Sequence, residues 1–272
     1  MLELEHRFRV VDVHVRLAPD PGASTGRSIT PDTLAREMHQ AGVVRSVVFP
    51  DQRSKTDYLR SNNAVARLSV DRPFVAFARI NGTREPGDSA TSQLRNLTSS
   101  REEYHTAPED IEQYAYDDRF HGFKLDPVRD GIPDDEVLTA LDEVGLPVLV
   151  RGTEATPPET IAEELLGYSF PVILAHFGGH PLNRDAMSRA IDLLDEYDEY
   201  YLDTSYVRYR DQLERALLEY PGRILFGSGG PETHPNVAVM EILTLDVSED
   251  KLHRVFDTNP SRVIDALAPE NG

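Results

Sequence analysis

The chain of 272 residues contains no cysteine. Disulfides, thiolate metal sites and cysteine nucleophiles are therefore all excluded. No run approaches the roughly 18 continuous apolar residues that a membrane-spanning helix needs. The opening Met1-Leu2-Glu3-Leu4-Glu5 is acidic and lacks the basic-then-apolar layout of a secretory signal. These absences lead to the expectation of a soluble, cytoplasmic protein. Lysine is scarce too: Lys55, Lys124 and Lys251 are the only three, and arginine supplies the remaining fixed positive charge. Asp and Glu number 47 against 28 Lys and Arg, a formal net charge of -19. Such a charge is self-repulsive in dilute buffer and tolerable where salt screens it, with a Debye length of about 3 Å at 1 M. The profile resembles that of proteins from salt-in halophiles, and it argues against nucleic acid or an anionic membrane as partners.

What is present is a regular beat of apolar runs and helical segments. Strands are expected at 8–15, 45–50, 74–80, 120–125, 147–150, 171–175, 200–204 and 223–226. Helices are expected between them, near 31–42, 55–71, 108–117, 134–144, 158–166, 184–196 and 209–219. Helical segments then fill most of the remainder, the last starting at Asn259-Pro260-Ser261. Thr30 followed by Pro31 is a helix start of the usual kind, a capping hydroxyl before a proline at the first helical position. The stretch 81–106 is polar and aperiodic, and reads as a loop or insertion. Eight strands alternating with helices imply parallel strands joined by crossovers, and the expected fold is a single-domain (β/α)8 barrel over residues 1–272. An open doubly wound sheet is less favoured, because no Gly-x-Gly-x-x-Gly follows the first strand.

The strands end on polar residues. Val10-Val11-Asp12-Val13-His14-Val15-Arg16 closes the first, Lys124 the fourth, Arg151 the fifth and His176 the sixth; Asp203 closes the seventh and Gly227-Ser228-Gly229 the eighth. In a parallel barrel these C-terminal ends build the active site. The site so assembled holds Asp12, His14, Arg16, Lys124, Arg151, His176 and Asp203.

Seven of these motifs together resemble the amidohydrolase-related family, which groups metal-dependent hydrolases with aminocarboxymuconate-semialdehyde-decarboxylase-like enzymes. They are Val-Val-Asp-Val-His-Val-Arg, Gly-Phe-Lys-Leu-Asp-Pro (122–127), Pro-Val-Leu-Val-Arg-Gly (147–152), Val-Ile-Leu-Ala-His-Phe-Gly-Gly (172–179), Tyr-Leu-Asp-Thr-Ser (201–205), Arg-Ile-Leu-Phe-Gly-Ser-Gly-Gly-Pro (223–231) and Asn-Pro-Ser-Arg (259–262). Each is short, but they run in order along almost the whole chain. The resemblance implies a metal bound by two strand-1 histidines, a strand-5 histidine and a strand-8 aspartate. A strand-6 histidine stands beside the metal-bound water, and the ion, typically zinc, makes that water nucleophilic.

Here the chain departs from the pattern at three of four ligand positions. His14 remains, and His176 keeps the strand-6 place. The second strand-1 histidine is Arg16, the strand-5 histidine is Arg151, and the strand-8 aspartate of Gly-Ser-Asp-x-Pro is Gly229. Arginine has no lone pair to give a cation, and glycine has no side chain. The expectation is therefore that the family metal is absent and no cofactor replaces it. Arg16, Lys124 and Arg151 then form a cluster suited to a small anion, carboxylate or phosphate, with Asp12 and Asp203 beside it. The competing structural reading pairs Asp12 and Asp203 with the arginines in a buried network.

Two further functional readings stand beside anion binding. One is a metal-independent hydrolase, lactonase or lyase using His176 or His14 as acid and base. The other is a non-catalytic structural or regulatory homodimer joined through outer helices. A relocated metal on His14, His176 and Asp203 or Glu154 has no spacing argument behind it. His121, His180 and His234 are expected as loop hydrogen-bonders. No Gly-x-Ser-x-Gly elbow supports a serine hydrolase.

Overall fold

A computed structural model describes residues 6–18, 26–51, 58–86, 96 and 101–269. Eight strands pair in sequence order, every neighbouring pair parallel. They are β1 (Val10–Leu17), β2 (Val43–Pro50), β3 (Phe74–Arg79), β4 (Phe120–Leu125), β5 (Val148–Thr153), β6 (Val172–His180), β7 (Tyr200–Asp203) and β8 (Ile224–Leu225). Backbone bonds from Val13 N to Phe226 O (2.9 Å), Gly229 N to His14 O (3.1 Å) and Arg16 N to Gly230 O (2.8 Å) tie the last strand to the first. The molecule is a single-domain (β/α)8 barrel, as the alternating pattern predicts.

Helices α1 (Pro31–Gln40), α2 (Tyr58–Ser69), α3 (Pro108–Tyr116), α4 (Pro127–Asp130), α5 (Asp135–Val144), α6 (Pro158–Leu165), α7 (Arg184–Asp192), α8 (Arg210–Glu219), α9 (Pro235–Leu243), α10 (Glu249–His253) and α11 (Asn259–Val263) follow in turn. Local chemistry sets their ends. The Thr30 hydroxyl accepts from Thr33 N ahead of Pro31. Asp134 caps α5 by accepting from Val137 N, and left-handed Gly145 (φ 69) closes it.

Strand residues alternate between two cores. Val10, Val48, Ala76, Val150 and Leu174 face outward, against the helices. Val11, Val47, Val75, Phe77, Leu149 and Ile173 fill the barrel, and Val263, Ile264 and Leu267 plug the end where the strands begin. Arg9 and Arg45 fasten that plug by donating to the Leu267 and Ala266 carbonyls, each at 2.7 Å. Gly122 on β4 is required here, because a Cβ would lie 2.5 Å from the Phe77 ring.

Of the expected loop at 81–106, residues 87–95 and 97–100 lie outside the described residues. Its two ends are clamped together. Asn81 N donates to Thr106 Oγ1 (2.9 Å), and Thr106 N donates to Asn81 Oδ1 (2.7 Å). Arg84 forms an antiparallel bridge with Ile132. The excursion is thus rooted on the segment that follows β4, at the end of the barrel where the strands finish.

Candidate active site

The strand ends surround a cavity of about 250 Å³. Arg16, Arg79, Lys124, Arg129 and Arg151 line it beside Asp51, Asp126 and Glu232. Five basic side chains therefore face three carboxylates, within a protein that is strongly acidic overall. His14, His176, His180, Phe49, Pro50 and Tyr206 complete the wall.

His14 reaches this floor because β1 bulges. Its register with β2 shifts between Asp12 and Val15, so Val13 and His14 both turn into the barrel. The Asp12 carboxylate holds the bulge, accepting from His14 N (3.0 Å) and Ser228 N (2.9 Å). Complete burial raises its pKa to about 7, against the help of those donors.

His14 and His176 are oriented by one aspartate. The His14 Nδ1–H donates to Asp203 Oδ2 at 2.7 Å. Asp203 Oδ1 accepts from Ser205 N (2.9 Å), His176 N (3.2 Å) and the Ser205 hydroxyl. Since that hydroxyl spends its proton on Asp203, and the Ser205 carbonyl only accepts, His176 Nδ1 must be the donor to Ser205 Oγ (2.7 Å) and O (3.1 Å). Both imidazoles are thereby fixed with Nε2 as the free lone pair, their rings 4.8 Å apart. Burial holds both below the usual histidine pKa. Burial alone would raise the Asp203 carboxyl; the neighbouring imidazoles and the Ser205 hydroxyl instead hold it well below the carboxylate range. The pair is an ionised aspartate and a neutral imidazole at neutral pH.

The basic groups differ in how they are held. Arg16 pairs with Glu232 and, at 3.4 Å, with Asp51; Arg151 pairs with Asp126 at 3.0 Å; Arg79 is gripped by Asp130 from behind. Lys124 is different, donating to the Leu125 (3.0 Å) and Leu149 (3.3 Å) carbonyls. Burial lowers its pKa to about 8, with Arg151 adding to the fall and Asp126 opposing it.

The cavity thus brings together Arg16, Lys124, Arg151, His14 and His176 of the residues expected from sequence. Asp12 and Asp203, expected as ligand contacts, do not line it; Asp12 braces β1 against the β8 loop, and Asp203 holds the two histidines. Nor do these two carboxylates pair with the arginines, because Asp51, Asp126 and Glu232 do so. His180, expected in a loop, ends β6 and lies on the wall, its ring 5.1 Å from His176. His234 does act locally, accepting from Asn236 N at the start of α9. Arg79 was legible by the same strand-end signal as Lys124. Tyr206 and Glu232 lie in loops, and only the fold brings them in.

Among the described residues, the donor atoms of His14, His176 and Asp203 lie within 4.8 Å of one another. Glu154 is not part of that group. At Gly229, where the resemblance leads one to expect a strand-8 aspartate, φ is +73 and a Cβ would sit 2.9 Å from the Tyr206 ring. The Tyr206 hydroxyl lies 2.7 Å from the Gly229 carbonyl and 3.1 Å from Glu232, sharing its one proton between them.

The amidohydrolase family model matches residues 11–265. No curated protein matches the chain. Among solved structures, 2,6-dihydroxybenzoate decarboxylase from Rhizobium superposes with a TM-score of 0.64 at 15% identity, over 94% of this chain and 98% of that one. A dihydroxybenzoic acid decarboxylase from Polaromonas sp. JS666, with bound manganese and the inhibitor 2-nitroresorcinol, gives 0.70 at 16% identity, over 97% and 99%. A probable 2-pyrone-4,6-dicarboxylic acid hydrolase from Acinetobacter baumannii, with citric acid bound, gives 0.59 at 16%, over 94% and 99%. At such identities the likeness carries the fold alone.

Proposed function

The chain belongs to the amidohydrolase family, and from that premise we propose that its barrel mouth is a metal-independent site for a small carboxylate, with His14 moving a proton on the bound molecule. The observation that carries this reading is the convergence on one cavity of five basic side chains and the free Nε2 of His14, whose other nitrogen is committed to Asp203. That is the arrangement of an acid–base histidine whose tautomer is set by a buried carboxylate.

The donor set does not fit the family metal. Arg16 and Arg151 occupy two ligand positions and bring positive charge instead of lone pairs. The third, Gly229, has a backbone that disfavours any side chain, and the Tyr206 ring stands where one would extend. Asp203 already takes four donors, so His14 and His176 offer two nitrogens where a structural or catalytic zinc takes three or four protein ligands. The decarboxylase and hydrolase neighbours are named for carboxylic acids, which agrees with arginines as the grip. In this scheme Arg16 and Arg151 hold a carboxylate. His14 Nε2, neutral at neutral pH, takes a proton from the substrate or from a water and returns it.

Calorimetry in high salt against hydroxybenzoates, pyrone dicarboxylate, citrate and phosphate esters tests the grip, with elemental analysis of the same preparation. Carboxylate binding without stoichiometric zinc, manganese or iron is expected. Arg16→Ala and Arg151→Ala should each weaken binding roughly ten- to a hundredfold, the worth of one charged hydrogen-bonding partner. Stoichiometric metal lost on His14→Ala would overturn the metal-free reading, and failure to bind any carboxylate would overturn the anion site. Binding with no turnover of any panel member would make the site a carboxylate receptor, and remove His14 from an acid–base role.

A further inference from the structure

Lys124 is the one basic side chain on the cavity wall to which no carboxylate comes within ion-pair distance among the described residues. It is also nearly fully buried, at 5% exposure. Its Nζ faces two backbone carbonyls and the Phe49 ring, whose centroid is 5.4 Å away. A neutral amine has two N–H groups; with both committed to Leu125 O and Leu149 O, its lone pair is turned away from the backbone. Lys124 itself lines the cavity.

We propose that Lys124 is a covalent amine for a carbonyl-bearing carboxylate, a 2-oxo acid, whose carboxylate is held by Arg16 or Arg151 while Nζ condenses with the adjacent carbonyl. This rests on the carboxylate-site reading and narrows its substrate class. The Nζ lone pair attacks the carbonyl carbon, forming the C–N bond while the π pair moves to oxygen, which takes one of the two Nζ protons. The nitrogen loses a proton to His14 or His176 Nε2, which returns it as the carbinolamine hydroxyl leaves as water. One C=N bond forms for each water released, and no oxidant or reductant is needed. Desolvation beside another cation is how lysines are prepared for this chemistry. Burial and Arg151 bring the ammonium down to about 8, against Asp126, Asp203 and Asp130, which favour the charged form.

The scarcity of lysine makes the test sharp, since Lys55, Lys251 and the chain's α-amino group are the only competing primary amines, and the peptide map separates all of them from Lys124. The full chain in high salt is incubated with pyruvate and sodium cyanoborohydride, and its peptides are mapped by mass spectrometry. One reduced pyruvyl adduct is expected, on the Lys124 peptide, forming faster as pH rises through about 8. The double variant Lys55→Arg/Lys251→Arg should label like the native chain, Lys124→Arg should not, and citrate should slow the labelling. The native peptide map decides the site even if Lys124→Arg fails to fold. Adducts spread over all three lysines overturn the proposal. So does pyruvate that binds by calorimetry without an adduct, a result that leaves the carboxylate site standing. Pyruvate that neither binds nor labels, together with failure of the carboxylate panel, removes both.

Discussion

Gly229 and Tyr206 act as a unit. The hydroxyl of one caps the carbonyl of the other, and the ring fills the space above a glycine in left-handed conformation. Gly229→Asp should therefore not create a metal site. It should cost roughly 1–3 kcal/mol in backbone strain alone, and more from the Tyr206 contact. Denaturant midpoints and metal content measure both, and recovery of part of the loss in Gly229→Asp/Tyr206→Ala identifies the steric share. Asp12 supports a pH prediction. Its folded-state pKa of about 7, against an ordinary 3.8, means the folded chain keeps a proton that the unfolded chain loses over that range. Stability from this group therefore falls as pH rises from about 4 to 7. Asp12→Asn keeps an oxygen for His14 N and Ser228 N and removes the titration. Its stability relative to the native chain should climb across that window, by an amount on the order of a few kcal/mol, and level off above it. A melting-temperature difference flat with pH would refute this.

At the level of elements, the site depends on two interruptions of regular strand. The β1 bulge delivers His14 to the interior. In β6, His176 (φ 61), Phe177 (φ 50) and Gly178 (φ 66) run left-handed in succession before the strand resumes at His180 beside Thr153. Non-glycine residues in that region persist where the surroundings over-determine them, which is common at functional sites. Here Phe177 is fully buried and His176 is tied at both its backbone N and its ring. Hydrophobic alternation ends β6 at Ala175, because the pattern carries no mark of a strand that turns and continues. The pattern therefore places His180 in a loop, whereas the strand carries it to its end. Deeper in the barrel, Gly122→Ala should destabilise by roughly 1–3 kcal/mol through its clash with Phe77. Phe77→Leu should relieve part of that cost in a double-mutant cycle, and additive losses would count against a direct contact.

Over the whole molecule, charge is the dominant feature. A net charge of -19 spread over the surface opposes compaction, while ion pairs such as Arg7–Glu249 and Arg254–Asp250 are exposed and individually weak. Lowering salt into the millimolar range should unfold the chain, and a circular-dichroism salt titration checks it; an unchanged spectrum would remove the halophilic reading. The cavity reverses the sign of the surroundings locally, with five basic side chains against three carboxylates on its wall.

Much of this was set by the sequence alone. The count and order of strands follow from alternating apolar runs, since parallel strands joined by helices leave few topologies. That Arg16, Arg151 and Gly229 offer no side-chain lone pair to a cation follows from residue chemistry, which needs no coordinates. His14, Lys124 and His176 were legible as polar ends of buried strands. Tertiary structure decided the rest. Which carboxylate meets which arginine depends on loops that bring Asp51, Asp126 and Glu232 to the mouth from distant places in the chain. Asp12 and Asp203 stand behind the wall because a bulge and a hydrogen-bond fan turn them there. Among the described residues Lys124 has no ion pair, for a reason no pattern encodes: two carbonyls of β4 and β5 and one aromatic ring border its amine.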